Sequence, residues 1–316
     1  ECIPNAGSKE VTPYRRDGCD NERPFNLAKI IVGSEGTLAT VTEAKINLVP
    51  TPKMTTLNVI HFETLIEAME AVQPILECHP TAVELIDDSI IKMTKESLEF
   101  SRVSNFIQGD PEAILAVEFY GETEEELLNQ LEVLEKKMKS LGLGYAFVRC
   151  LTADQKAKVW ETRKAGLGLL GNMDGDEKAV ACIEDTAVSI PNLANYINEF
   201  TAIMKSYGQR AVYYAHAGAG ELHLRPILNL KVGKDVKLFK QITHDVARLV
   251  KKYKGSLSGE HGDGRLRAEF IQEMVGEKNY QLFIQVKKLF DPQEIFNPGK
   301  IVFAAPMETS LRYVPD

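Results

Sequence analysis

Long apolar runs are missing from this 316-residue chain: stretches such as the one at 114–117 fall far short of the roughly 18 residues that a membrane-crossing helix needs. No transmembrane segment is expected. Cysteine pairs are missing too. Cys2, Cys19, Cys78, Cys150 and Cys182 are odd in number and widely spaced, with no Cys-x-x-Cys, which argues against a disulfide framework and for a reducing cytoplasm. Positive charge is in deficit, because 37 Lys and Arg against 45 Asp and Glu leave a formal net charge of −8. Such a field repels phosphate backbones, so nucleic acid is not an expected partner. Glu1-Cys2-Ile3 carries neither an initiator Met nor a signal peptide, and the chain is read as a piece of a longer protein. What is present is an ordinary folded composition, 44% hydrophobic and 26% charged, long enough for two domains or one large one.

The polar stretch up to about Pro24 reads as loop, and residues 30–50 as a strand, a glycine turn and a further strand. Pro50 and Pro52 donate no backbone N–H, which places a boundary near residue 52 and divides the chain into segments 1–52 and 53–316. Beyond it, β-type runs at 57–61, 113–119, 145–148 and 180–184 alternate with helical patterns at 65–78, 123–141, 153–170 and 191–207. Thr123 and Glu126 have capping-box spacing, and Pro191 and Gly208 suit a helix start and stop. Strands at 211–216 and 222–228 flank a glycine loop, and helices at 235–252 and 280–290 close the pattern. This predicts an α+β fold with a mostly antiparallel sheet covered by helices. The two β-α-β stretches between 55 and 150 suggest an internal duplication, without a residue-level repeat.

Two of the six histidines, His216 and His223, lie seven residues apart around Gly218 and Gly220. On one continuous strand they would face opposite ways, but a glycine turn lets His216 end one strand and His223 open the next, with both rings at one sheet edge. Gly259-Glu260-His261-Gly262-Asp263-Gly264 adds a carboxylate beside a histidine in a second glycine-rich turn. His216, His223 and Glu260 make a three-ligand set with open positions, suited to Zn²⁺ or a similar divalent ion, and leave His261 to take a proton. The alternative is that these are loop histidines satisfied by backbone or water. Gly33, Ser34, Glu35, Gly36 and Thr37 can set backbone N–H groups against a phosphate or flavin, or form an ordinary tight turn. Arg163, on a predicted helix, and Arg225, two residues after His223, can clamp a carboxylate or sit solvated at the surface.

Taken in order, residues 31–50, Trp160 to Arg163, 183–188, His216 to His223, Ser258 to Gly264, and the ending Phe290-Asp291-Pro292 with Ile295 to Lys300 resemble the flavin-dependent oxidases and dehydrogenases of the vanillyl-alcohol-oxidase superfamily. The similarity is greatest to the branch of D-lactate, glycolate and D-2-hydroxyglutarate dehydrogenases. The resemblance implies that 1–52 is the end of an FAD-binding domain, whose pyrophosphate loop would precede Glu1. It makes 53–316 a substrate or cap domain, an FAD-linked oxidase C-terminal domain with ferredoxin-like elements, whose last helices return to the FAD domain.

The resemblance places His216, His223 and Glu260 on the metal ligands of metal-dependent members, and His261 on the general base. Arg163 falls on an arginine that holds the substrate carboxylate, Lys178 on a substrate-binding lysine, and Asn297 on a residue near the flavin. It implies oxidation of a D-2-hydroxy acid to the 2-oxo acid, with hydride passing to FAD and electrons leaving through a fused or separate iron–sulfur protein or a quinone pathway. The location implied is cytoplasmic, free or peripheral to the inner membrane, and this piece alone is expected to be inactive and not to retain FAD. Ala219 and Glu221 depart from the Asp and Asn that many members carry between the two histidines, and Arg225 from the Asn of simpler members. These departures resemble a longer branch fused to an iron–sulfur domain. Two other readings remain open: a non-redox, flavin-dependent ether-lipid synthase type, and a catalytically inert metal-binding or docking module.

Overall fold

Thr64, Thr123 and Thr152 each lie in extended backbone one residue before a helix and accept the N–H three residues on, so three short polar side chains set where three helices begin. Thr152 and Gln155 form a complete capping box. Thr123 and Glu126 form half of one, because the Glu126 carboxylate takes the N–H of Glu122 instead of that of Thr123.

A computed structural model describes residues 26–97, 102 and 104–316; Cys2, Cys19 and the polar loop expected up to Pro24 lie outside the described residues. In chain order the elements are α1 (Ala28–Val32), β1 (Met54–Phe62), α2 (Leu65–Leu76), β2 (Ala82–Asp87), α3 (Asp88–Glu96), β3 (Ala113–Gly121), α4 (Glu124–Leu141) and β4 (Ala146–Cys150). They continue with α5 (Ala153–Gly171), β5 (Lys178–Ala179), β6 (Ile183–Ala187), α6 (Leu193–Ser206), β7 (Ala211–His216), β8 (Glu221–Leu228), α7 (Gly233–Lys252), α8 (Gly264–Arg267), α9 (Ile271–Val275) and α10 (Glu277–Phe290).

The chain divides into two compact units, Leu48–Ser256 with the last two residues, and the described residues up to Asn47 with Leu257–Val314. Among the described residues, every strand lies in the larger unit. Its sheet runs β4-β1-β3-β2-β7-β8-β5, with β6 also on β8, and all pairings are antiparallel. The α+β expectation of an antiparallel sheet covered by helices therefore holds. The order β4-β1-β3-β2 of a β-α-β-β-α-β segment is the ferredoxin-like arrangement. The second half repeats it as β6-α6-β7-β8-α7, with β8 between β6 and β7, and Ser256 after α7 bridging to Ala187 where a fourth strand would pair. The two β-α-β stretches of 55–150 thus make up a single ferredoxin-like half, and the repeat seen in the topology is between that half and 183–256, joined at β2 and β7.

Alternation along the strands separates two faces. Ile60, Phe62, Leu115 and Phe119 face the side of α2 and α4, and Tyr213 packs edge-on against Phe200 of α6. The other face, beneath α3 and α5, is apolar on the first half, where Leu57, Val59, Ile114, Ala116 and Cys150 join Ile90 and Val159 in one buried cluster. Burial pushes the Cys150 thiol up to about 11, so it packs as a small apolar group instead of reacting.

The strand expected at 30–32 is part of a short helix, and no strand follows through 39–50. Ile and Val favour strands only when a neighbouring edge and a buried face are available. Here α1 has no buried residue, and no strand among the described residues pairs with it. β2 and α3 were not anticipated from the sequence. β6 begins three residues later than the expected run at 180, and the pair Lys178 and Ala179 forms a separate short strand on β8.

Candidate functional site

The connection between β7 and β8 is short because Gly220 takes φ +72°, and a side chain there would collide with the carbonyl of Val188. That turn sets His216 opposite Glu221, Tyr214 opposite His223 and Val212 opposite Arg225. Paired residues share a face, so His216, Glu221, His223, Arg225 and Tyr214 all project beneath α3 and α5. The rings of His216 and His223 meet edge to face at 5.3 Å, and His223 stacks on Tyr214 at 4.5 Å. Ligand-capable atoms of His216, Glu221 and His223 all lie within 4.8 Å of one another.

A bulge in β6 brings a further carboxylate to the cluster. Asp185 has φ +82°, and the register shift there lets Glu184 pair with His223 while Thr186 pairs with Leu222, so the side chains of Glu184 and Thr186 reach opposite faces. Thr186 accordingly accepts the hydroxyl of Tyr196 from α6. Glu184 accepts Tyr214 Oη–H at 2.9 Å, pairs with Arg225 at 2.5 Å, and stands 3.6 Å from His223 Nδ1. Burial, with Glu184 next in weight, pushes the Tyr214 phenol upward, so it stays a neutral donor.

The second ion pair crosses from β2 to α5. Glu84 lies one residue beyond Leu85, which pairs with Ala215, and so next to His216. Its Oε1 is 2.9 Å from His216 Nδ1, and its Oε2 accepts Arg163 Nε–H at 3.2 Å and forms an ion pair with the guanidinium, whose Nη2 stands 3.1 Å away. The hydrogen bond to Glu84 raises the His216 pKa above its usual value, against the opposing effect of burial. Arg163 and Arg225 both stand near the Tyr214 ring, 4.8 and 5.6 Å from its centre. Both guanidiniums are thus largely buried beside carboxylates, with side chains 15% and 13% exposed. A solvated surface role is excluded for either arginine.

Lys178 is anchored elsewhere: its ammonium donates to the carbonyl of Met173, in the connection after α5. Sequence patterns assign no role to Glu84 or Tyr214, include Glu184 only within the 183–188 stretch, and mark Glu221 only as a departure between the two histidines. The signal for Glu221 was its place between the two histidines; nothing local marks Glu84.

The smaller unit contains the other expected site residues. Gly33 and Ser34 donate their N–H groups to the Lys29 and Ile31 carbonyls of α1, and Thr37 donates to that of Ser34, so three of the five backbone donors are taken by the helix end and the turn. Glu35, at φ +52°, sends its carboxylate to the N–H groups of Asp263 and Gly264 at 2.6 and 2.9 Å. Gly262, at φ +82°, passes so close that a Cβ would stand 3.0 Å from that carboxylate. Asn297 donates to the Glu35 carbonyl at 2.8 Å, and buried Lys287 joins the Thr37 and Phe296 carbonyls to Asp291. Glu260 and His261 sit in the turn that Glu35 holds, half exposed, with His261 Nε2 3.5 Å from Glu260 Oε1. Gly36 lies at the apex of the first turn with φ +70°.

Among the described residues, no helix is long and apolar enough to cross a membrane. Residues 51–301 match the family model of FAD linked oxidases, C-terminal domain. The chain is 33% identical over 290 residues to a D-2-hydroxyglutarate dehydrogenase of Pseudomonas putida, covering 89% of this chain and 28% of that protein. It is 29% identical over 301 residues to a D-lactate dehydrogenase of Archaeoglobus fulgidus, covering 95% of this chain and 61% of that one. The chain thus spans about a quarter of the length of the first relative and under two thirds of the second. In fold it is similar to p-cresol methylhydroxylase, with a TM-score of 0.60, 14% identity, and coverage of 84% of this chain and 55% of that one. By the match of its sheet-bearing unit and its third-identical relatives, this chain belongs to the family of FAD linked oxidases, as a C-terminal domain.

Proposed function

We propose that this chain is the substrate-side part of an FAD-dependent dehydrogenase that oxidises a D-2-hydroxy acid to the 2-oxo acid. The carrying observation is the convergence of two histidines, buried carboxylates and two arginines on one sheet face. The donor set fits a divalent ion such as zinc, since imidazole nitrogens and carboxylate oxygens are its ordinary ligands. His216 and His223 would hold it, with Glu260 as the third ligand, and Glu221 is a further carboxylate donor within the hairpin. When bound, the ion lowers the pKa of a coordinated hydroxyl, and FAD accepts the hydride.

The remaining work belongs to the chain's own side chains. Arg163 and Arg225 place fixed positive charge beside the histidine pair, favouring a substrate carboxylate and a second acidic group. His261 takes the hydroxyl proton, a role that contributes on the order of 10²- to 10⁴-fold. The buried, neutral Tyr214 lies beside both guanidiniums, 4.8 and 5.6 Å from its ring centre. Gly33 to Thr37 and Asn297 would line the flavin side, and Lys178 would assist the substrate. Electrons leave through an iron–sulfur protein or a quinone pathway.

The test is anaerobic mixing of the full-length, flavin-loaded protein with D-2-hydroxy acids while flavin absorbance is followed. Bleaching by the acid and none by the matching uncharged alcohol is expected. Flavin that stays oxidised with every D-2-hydroxy acid tried would sink the proposal and leave the non-redox reading.

A further inference from the structure

The role of Glu84 follows from what its two oxygens touch. One faces Nδ1 of His216 and the other faces the guanidinium of Arg163, with the carboxylate side chain only 12% exposed. An ionised carboxylate has no proton to donate, so the imidazole nitrogen opposite it must be the one that carries hydrogen. A neutral histidine with hydrogen on Nδ1 has its lone pair on Nε2, which makes Nε2 the metal-binding nitrogen of His216. In water a neutral imidazole side chain favours the other tautomer, with hydrogen on Nε2. Glu84 therefore supplies what the hairpin cannot: the hairpin brings the rings together, and the carboxylate decides which nitrogen of His216 can ligate.

The same carboxylate fixes Arg163 beside Tyr214. Arg163 comes from α5 and His216 from β7, and no backbone hydrogen bond joins these two elements directly in the pairing of the sheet. We infer that Glu84 is a positioning residue that holds His216 in the Nδ1–H tautomer for a divalent cation and holds Arg163 for the substrate carboxylate, so that cation and acid are presented to each other in register. This inference rests on the function proposed above for the same site.

Glutamine and alanine separate the two duties. In Glu84→Gln the amide oxygen can still accept from His216 Nδ1–H, while its amide nitrogen no longer attracts Arg163. Glu84→Ala removes both contacts. Histidine ¹⁵N spectra of the full-length protein, recorded at a pH where His216 is neutral, report the tautomer without any need for metal or turnover. Zinc affinity comes from competition with a chelating dye, and KM from flavin reduction.

The expected result is hydrogen on Nδ1 in the unsubstituted protein and in Glu84→Gln, and on Nε2 in Glu84→Ala. Zinc affinity should fall about 10- to 100-fold in Glu84→Ala, the usual loss for a ligand's orienting partner, and much less in Glu84→Gln. KM for the hydroxy acid should rise in both. An unchanged tautomer and unchanged zinc affinity in Glu84→Ala overturns the inference. Should that variant fail to fold, Glu84→Leu keeps the bulk but removes both acceptor oxygens, and retention of the Nδ1–H tautomer and full zinc affinity there overturns it equally. A protein that binds no zinc and reduces no flavin, yet shows the Glu84-dependent tautomer, instead sinks the proposed function and leaves the positioning of His216 standing.

Discussion

The two ferredoxin-like halves of the larger unit share a topology and differ in what they bury. β3 and β8 are the central strands of their halves, each flanked by the strand before and after its helix. Towards α3 and α5, β3 presents Ile114, Ala116 and the half-buried Glu118, whereas β8 presents Glu221, His223 and Arg225. On the opposite face both strands are alike: Leu115, Val117 and Phe119 in one, Leu222 and Leu224 in the other. On these two central strands that face is therefore specified by burial alone. The other became free to carry charge in the second half, where partners on neighbouring strands compensate it. Burying ions without such partners costs several kcal/mol each, so the chemistry could enter only as a paired set.

The largest expected difference between the halves comes from breaking an arginine pair in each. Arg225→Ala leaves Glu184 buried beside Tyr214 and should cost about 3–5 kcal/mol, read as a lower urea midpoint. Arg149→Ala breaks the corresponding kind of pair with Glu135 in the first half. There the arginine is a third exposed, and a loss of about 1 kcal/mol is expected. Equal losses would show that the site's charges are no more committed than a surface pair.

Next in size are the faces that the halves share. Leu115→Ala and Leu222→Ala remove fully buried side chains from equivalent strands and should each cost about 2–5 kcal/mol. Neither should change zinc affinity once the protein is folded. A selective loss of metal binding in Leu222→Ala would mean that the apolar face also shapes the site.

The last effect concerns the seam, and it is spread over pH instead of being read at one condition. Asp87, at the end of β2, caps α3 through Ile90 N–H and also accepts Tyr213 N–H of β7. Burial pushes its carboxyl from 3.8 up to about 7, although both backbone donors pull it back. The folded state therefore holds the proton between those values, when the unfolded chain has released it. Its stabilising contribution is complete below about 3.8 and is lost as pH rises through about 7. The resulting slope is at most about 1.4 kcal/mol per pH unit. Asp87→Asn should flatten that part of a stability–pH curve, and an unaltered slope would remove Asp87 from the account.

Local signals made much of the fold legible. Thr64, Thr123 and Thr152 mark helix starts by a mechanism contained in four residues, and alternation located β1, β3, β7 and β8. The His216 and His223 pair was legible because the glycines that permit the turn lie between them. Residues 30–32 misled for the opposite reason, since their β-branched side chains signal a strand only when another strand is present to pair. β2 was missed although Asp87 and Asp88 open a helix directly after it, a signal that could have bounded the strand.

The amino-acid sequence by itself determined most of the strands and helices beyond residue 52, the tight hairpin with its two histidines, and the excess of acidic over basic side chains. Caps, turns and alternation act over a few residues, and nothing distant is needed to express them. Tertiary structure alone decided that Glu84 would reach His216 across 132 positions, that Arg163 would share its carboxylate, and that a bulge at Asp185 would turn Glu184 towards Arg225. Those contacts depend on strand register between segments far apart in the chain, and a shift of one residue would send each strand-borne member, such as Glu84 or Glu184, to the other face.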